Sequence, residues 1–199
     1  MGVSIKRNIG DARPAPDKET TPVQMRVHHG ERRAAFLAQD LKLPLPLGLI
    51  MANKPRHRDG RTLAESNAIL TFLAEDTPYL PVNHFDRAKA LQWMFWEQYR
   101  HEPAIAVARY ICHYAPEREG ELPVLREKGR AALTVMDQHL EGGSFFVGSG
   151  PSIADISLYA YTHVAGEAGF DLSDYPNVSA WCARMAEHPK HILITDVPA

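Results

Sequence analysis

Residues 151–189 read PSIADISLYAYTHVAGEAGFDLSDYPNVSAWCARMAEHP, and this stretch decides the fold. In its second half Val178, Trp181, Cys182 and Met185 stand at offsets 0, 3, 4 and 7. That spacing is one stripe of an amphipathic helix. Pro176 lies near the start of this helix and Pro189 just past its end, the places where helix boundaries tolerate proline. In the first half Ser152 is an N-cap residue and Asp155 the acid three positions on, a variant of the capping box. The helix that follows, 153 to about 168, is apolar nearly all round, through Ile156, Leu158, Tyr159, Ala160 and Val164. A helix without a polar face is expected to be buried.

Working upstream, Leu125, Ala132, Leu133, Met136 and Leu140 mark a long amphipathic helix over 122–140, ended by Gly142 and Gly143. A further helical region over 86–114 carries Ala88, Leu91, Met94, Phe95, Ile105 and Ala108. Pro103 should kink or split it, because proline brings no N–H donor. From residue 86 onward the chain therefore reads as an all-α bundle with short Gly/Pro connections. Residues 75–85, with Pro78 and Pro81, read as a linker into that bundle.

Before the linker the pattern changes. An apolar, β-compatible run over 43–52 is followed by the turn signal Asp59-Gly60. Residues 61–64 read as a short return strand and 65–74 as a helix with Ile69, Leu70, Phe72 and Leu73 apolar. Strand, turn, strand and helix form the end of an α+β unit. Further upstream Val23, Met25 and Val27 alternate as in a strand, and Val3 and Ile5 read as the end of another. Between them Pro14 and Pro16 exclude a helix, since each costs about 3 kcal/mol in a helix interior.

Composition removes several classes of function. The net charge of −2 comes with no Lys/Arg block fit to track a phosphate backbone, so nucleic acid is not an expected partner. No apolar run approaches the roughly 20 residues that span a bilayer, so no membrane association is expected. MGVSIKRNIGDARPAP lacks the apolar region of a secretory signal. Lys6 stands where a myristoylation signal needs Ser or Thr. The two cysteines, Cys112 and Cys182, have no metal or disulfide-framework spacing and read as buried apolar residues in a reducing compartment. The ten histidines form no paired-ligand motif, and no metal is expected.

DGRTLAESNAILTFLAE (59–75), LQWMFWEQYRHEPAIAVAR (91–109) and the 151–189 stretch together resemble cytosolic glutathione S-transferases. GERRAAFLA (30–38) is a weaker match. The resemblance implies a thioredoxin-like α+β domain over 1–76, incomplete or modified in its first 29 residues, and an all-α domain over 86–199. It also implies a cytoplasmic homodimer that conjugates glutathione, as co-substrate, to small electrophiles in detoxification.

By that resemblance Glu65 and Ser66 hold the γ-glutamyl end of glutathione. The chemistry suits them. Ser66 opens a helix, whose N–H groups and dipole attract a carboxylate, and Glu65 can meet an ammonium. The bland alternative is that Ser66 only caps its helix. Pro46, with Pro44 as a rival, would be the family's cis-proline beside the cysteinyl backbone. The basic stretch MANKPRHR (51–58) departs from the family pattern just after it.

The family also places a Tyr, Ser or Cys after its first strand, to stabilise the glutathione thiolate. A free thiol titrates near about 8.5, and lowering it by about 2 units takes roughly 2.7 kcal/mol. Residues 1–29 contain no Tyr or Cys, and Ser4 is their only Ser, hence the candidate catalytic residue. By analogy Trp96, Tyr99, Arg109, Tyr110 and Tyr114 line a second substrate pocket. With the N-terminal residue missing, a non-catalytic binding or regulatory protein on the same scaffold stays open as the alternative.

Overall fold

The computed structural model describes residues 61–189 and 191. Thr62 carries a single β-bridge, and the other elements among the described residues are helical. The expected thioredoxin-like half therefore lies largely outside the described residues, as do Ser4, Pro44, Pro46, the 51–58 stretch and the strands expected at Val3 and Ile5, over 23–27 and over 43–52.

Helix α1 (Ser66–Ala74) buries Ile69, Leu70, Leu73 and Ala74. The expected linker after it is part of the core: Tyr79 and Leu80 are buried, and the Tyr79 carbonyl accepts from Ile153 N–H at 2.9 Å. Helix α2 (His84–Trp96) starts two residues before the expected point because Asn83 caps it, its Oδ1 accepting from Phe85 N–H at 2.8 Å and Asp86 N–H at 3.2 Å. The break expected at Pro103 comes one turn earlier, as a π-helical turn, Glu97–His101. Pro103 has no N–H to offer the Tyr99 carbonyl, and the helix widens instead, with Glu102 N–H bonding back to Glu97 O. Helix α3 (Glu102–Tyr114) resumes from there, and a 3₁₀ turn (Pro116–Glu121) leads into α4 (Leu122–His139).

Helix α5 (Ile153–Thr162) lies at the centre, packed against α1, α2, α3, the π turn and α6 (Pro176–Ala186). Its capping box forms as the sequence indicates. Asp155 is fully buried and accepts from Ser152 N–H at 2.8 Å and Ser152 Oγ–H at 2.7 Å. Its other oxygen accepts from Phe146 N–H at 2.9 Å and Trp181 Nε1–H at 3.0 Å. One carboxylate thus joins the loop before α5, the start of α5 and the middle of α6. Burial pushes the Asp155 pKa up, and these donated hydrogen bonds oppose that shift.

The expected extent of α5 needs correction. The helix ends at Thr162, not near 168, and a 3₁₀ turn (Ala165–Ala168) follows, closed by Gly169 at φ 84°. Thr162 Oγ1–H donates to Leu158 O and the His163 ring to Tyr159 O, both at 2.7 Å, and Tyr159 O also accepts from His163 N–H at 3.2 Å. The cysteines also need correction. Cys112 is exposed, and Cys182 is only partly buried at the edge of the core.

Asp155→Ala should cost about 3–5 kcal/mol in urea-induced unfolding, because it strands buried donors in the loop before α5, at the start of α5 and on Trp181. A loss below about 1 kcal/mol would show that the carboxylate does not organise the bundle.

A second outcome concerns pH. His163 stacks on the Tyr159 ring at 4.5 Å, and burial lowers its pKa from the ordinary 6.5. A depressed histidine pKa means that the unfolded chain binds the proton more readily. The stability it contributes is therefore present above about pH 6.5 and lost as pH falls from there through the lowered value of the folded state. His163→Gln should flatten this part of the unfolding free energy measured against pH. Unchanged slopes in the two proteins would contradict it.

Candidate functional site

The start of α1 has an unusual backbone. Glu65 occupies φ 70°, ψ 122°, a positive φ that L-residues with side chains rarely adopt and that costs of order 1–3 kcal/mol. The helix begins at Ser66, and the Glu65 side chain makes no capping hydrogen bond to it. Ser66 is therefore the first helical residue, not the cap, which removes the purely capping reading of it. Its side chain is buried at 7% exposure, while Glu65 is exposed. The first helical bond runs from Ile69 N–H to Glu65 O at 2.9 Å. The N–H groups of Asn67 and Ala68 come ahead of it and point out of the helix start.

Asn67 fastens this helix start to the bundle. Its Nδ2 donates to Met94 O at 3.1 Å and to Glu97 Oε2 at 3.5 Å. Ser157 Oγ, on α5, lies 2.9 Å from Asn67 Oδ1 and 3.3 Å from Glu97 Oε2, and its hydrogen is shared between them. Glu97 and His101, both fully buried, sit in the π turn with Nδ1 4.0 Å from Oε1. His101 Nε2 lies 2.9 Å from Thr162 Oγ1. Thr162 spends its own hydrogen on Leu158 O, so His101 Nε2 carries the proton that joins them. Sequence reasoning missed Asn67, Glu97, His101 and Ser157. The signal was partial: a glutamate and a histidine four apart, hence on one helix face, and a serine inside a helix that is apolar nearly all round.

The predicted pocket residues part company. Trp96 and Tyr99 line one groove of about 400 Å³ between the π turn and α4. Trp96 is fixed by an edge-on contact with Trp93 at 5.2 Å. Arg109 instead pairs with Glu167, whose same oxygen lies 3.0 Å from His113 Nε2. Tyr110 and Tyr114 are exposed, with rings 5.7 Å apart. Among the described residues no cluster of three metal-ligating side chains occurs, and no helix is long and apolar enough to cross a membrane.

Asn67→Ala should lower stability by about 1–3 kcal/mol through the donor lost to buried Glu97, and should speed hydrogen exchange in α1 more than in α6. Equal protection of α1 in both proteins would show that Asn67 does not dock the helix.

Residues 85–184 match the glutathione S-transferase C-terminal domain. A glutathione S-transferase structure from Pseudomonas fluorescens is 38% identical, with a TM-score of 0.81, and the match covers 88% of this chain and 100% of that one. Another from Xanthobacter autotrophicus is 37% identical, with a TM-score of 0.79, over 87% of this chain and 97% of that one. The disulfide-bond oxidoreductase YfcG of Escherichia coli is 31% identical over 133 residues, 64% of this chain and 60% of that protein. The chain thus spans about three-fifths of the length of this curated relative. With its C-terminal half matched by that domain family and its fold shared with these enzymes, the chain belongs to the glutathione S-transferase family.

Proposed function

We propose that this protein is a glutathione transferase that joins the glutathione thiolate to a small electrophile. The observation that carries the reading is the start of α1. Glu65 is held at positive φ directly ahead of buried Ser66, at a helix N-terminus that the Glu65 side chain does not cap. Strained backbone of this kind concentrates where a ligand is held. In this reading Ser66 and the following N–H groups receive the γ-glutamyl carboxylate, and Glu65 meets the adjacent ammonium. Pro46 flanks the cysteinyl backbone, and Ser4 is the candidate donor to the thiolate. The sulfur forms a bond to the electrophilic carbon, the leaving group departs with its electron pair, and the thiol proton passes to solvent. Glutathione is a co-substrate, and no metal or organic cofactor takes part.

The same proposal includes a thioredoxin-like domain over 1–76, an all-α domain over 86–199, a homodimer and a cytoplasmic, detoxifying role. The likeness to YfcG favours a second reading, in which bound glutathione reduces a disulfide instead of attacking an electrophile. A non-catalytic member that only binds glutathione is the third.

Calorimetric titration with reduced glutathione tests the anchor. Ser66→Ala should weaken binding about 10–100-fold, the worth of one hydrogen bond to a charged group. Glu65→Gln should weaken it only a few-fold, as for an exposed ion pair. No saturable binding at millimolar glutathione would end the reading. Where binding holds, conjugation of 1-chloro-2,4-dinitrobenzene and glutathione-dependent reduction of a small disulfide separate the first two functions. Activity in neither assay leaves the non-catalytic one.

A further inference from the structure

Beyond α6 the chain is fastened to the bundle by two phenol–imidazole pairs. Tyr79 OH lies 3.2 Å from His188 Nε2, and Tyr159 OH lies 2.7 Å from His191 Nε2. Both tyrosines are buried, Tyr79 ahead of α2 and Tyr159 on α5. A bond from His191 N–H to His188 O at 2.8 Å turns the chain between the two ties. Tyr159 is the more crowded anchor. The His163 ring stacks on it at 4.5 Å, and the His191 ring meets it edge-on at 5.4 Å. One phenol ring thus carries two imidazoles.

The shorter of these bonds depends on the charge of His191. Burial raises the Tyr159 pKa, so its hydroxyl keeps a hydrogen to donate, and a neutral imidazole accepts it through Nε2. A proton arriving at His191 lands on that accepting nitrogen. The phenol must then turn its own hydrogen away, and a cation is set against a buried ring. The charged and titratable groups around this anchor come from four elements. They are His163 at the end of α5, Arg109 of α3, Glu167 of the 3₁₀ turn after α5 and Cys182 of α6. Burial pushes the Cys182 thiol up to about 12, so it stays uncharged. The Glu167 carboxylate is already engaged by Arg109 and His113. A charged His191 therefore meets a second imidazole and an arginine, and the carboxylate nearby is shared before it arrives.

We propose that Tyr159 and His191 form a proton-released latch, in which neutral His191 holds the segment after α6 on α5 and protonated His191 lets it go. The tie between Tyr79 and His188 marks where release stops. An imidazole in water takes up its proton below about pH 6.5. The latch is therefore closed above that value and opens as pH falls below it, with the opening constant rising about tenfold per unit.

Trypsin reads the latch on the full-length protein, because Lys190 lies in sequence between the two ties. The rate of cleavage after Lys190 is divided by that of a synthetic peptide spanning 185–197, carrying any substitution in that stretch, so the protease's own pH profile cancels. Cleavage after Arg130, inside α4, reports unfolding of the whole bundle. The divided rate at Lys190 should rise at least about tenfold from pH 8 to pH 5.5, ahead of cleavage at Arg130. Tyr159→Phe keeps the ring and removes the hydroxyl. It should speed cleavage at pH 8 at least about fivefold and flatten the rise. His191→Gln, which leaves the core untouched, should flatten the rise as well, whereas His188→Gln should keep it. A flat profile in the parent protein, or cleavage at Lys190 and Arg130 rising together, would overturn the latch. So would a rise that survives His191→Gln or one that is lost in His188→Gln.

Discussion

Asp155 is the constraint from which the bundle is arranged. A carboxylate removed wholly from water loses several kcal/mol of solvation, and it is kept there only because every contact it makes is a donor. Those donors come from Phe146, Ser152 and Trp181, which lie on three separate segments. Each hydrogen bond to a charged group is worth about 1.5–3 kcal/mol when well placed. The entry angle of α5, the path of the loop before it and the seating of α6 are therefore set together. With α5 held, every helix that packs on it has a defined surface to meet.

That fixed centre explains how strain can persist at Glu65. A residue at positive φ relaxes unless its surroundings over-determine it. Here α1 is pinned from the next residue but one, where Asn67 meets Met94, Glu97 and Ser157. Ser157 sits on α5, two residues from Asp155. Rigidity passes in a short chain from the capping box, through α5 and Ser157, to the helix start where Glu65 and Ser66 stand. The polar residues of the π turn belong to the same chain, since Glu97 and His101 reach α5 through Ser157 and Thr162.

The helices were legible because their signals are local. The stripe through Val178, Trp181 and Met185 is buried as the spacing indicates, and the capping box at Ser152 and Asp155 forms. Signals that depend on three-dimensional competition were not legible. Nothing in the spacing says that α5 will end at Thr162 and give way to a 3₁₀ turn closed by Gly169. Nor does it say that a proline will open a π turn upstream instead of a kink at its own position. At the candidate site, the Glu65-Ser66 pair could be found from the motif it resembles. The network through Asn67, Glu97 and Ser157 could not, because its members come from three elements far apart in sequence. The aromatic stripe was readable as a face of a helix, but not its division, which sends Trp96 and Tyr99 to the groove and Arg109 to Glu167.

The π turn connects these two regions by one cause. Pro103 removes a single N–H, and the helix accommodates the loss by widening over the preceding turn. An α-helix carried straight through would keep a single register from Trp96 to Ile111. The wider turn instead lets Glu97 and His101 point inward, to Ser157 and Thr162, while Tyr99 and Arg100 stay on the outer face beside Trp96. One side of the turn thus carries the buried polar network that steadies the start of α1, and the other carries the ring and the cation of the groove. A single missing donor at Pro103 shapes both the anchor side and the groove side of this helix.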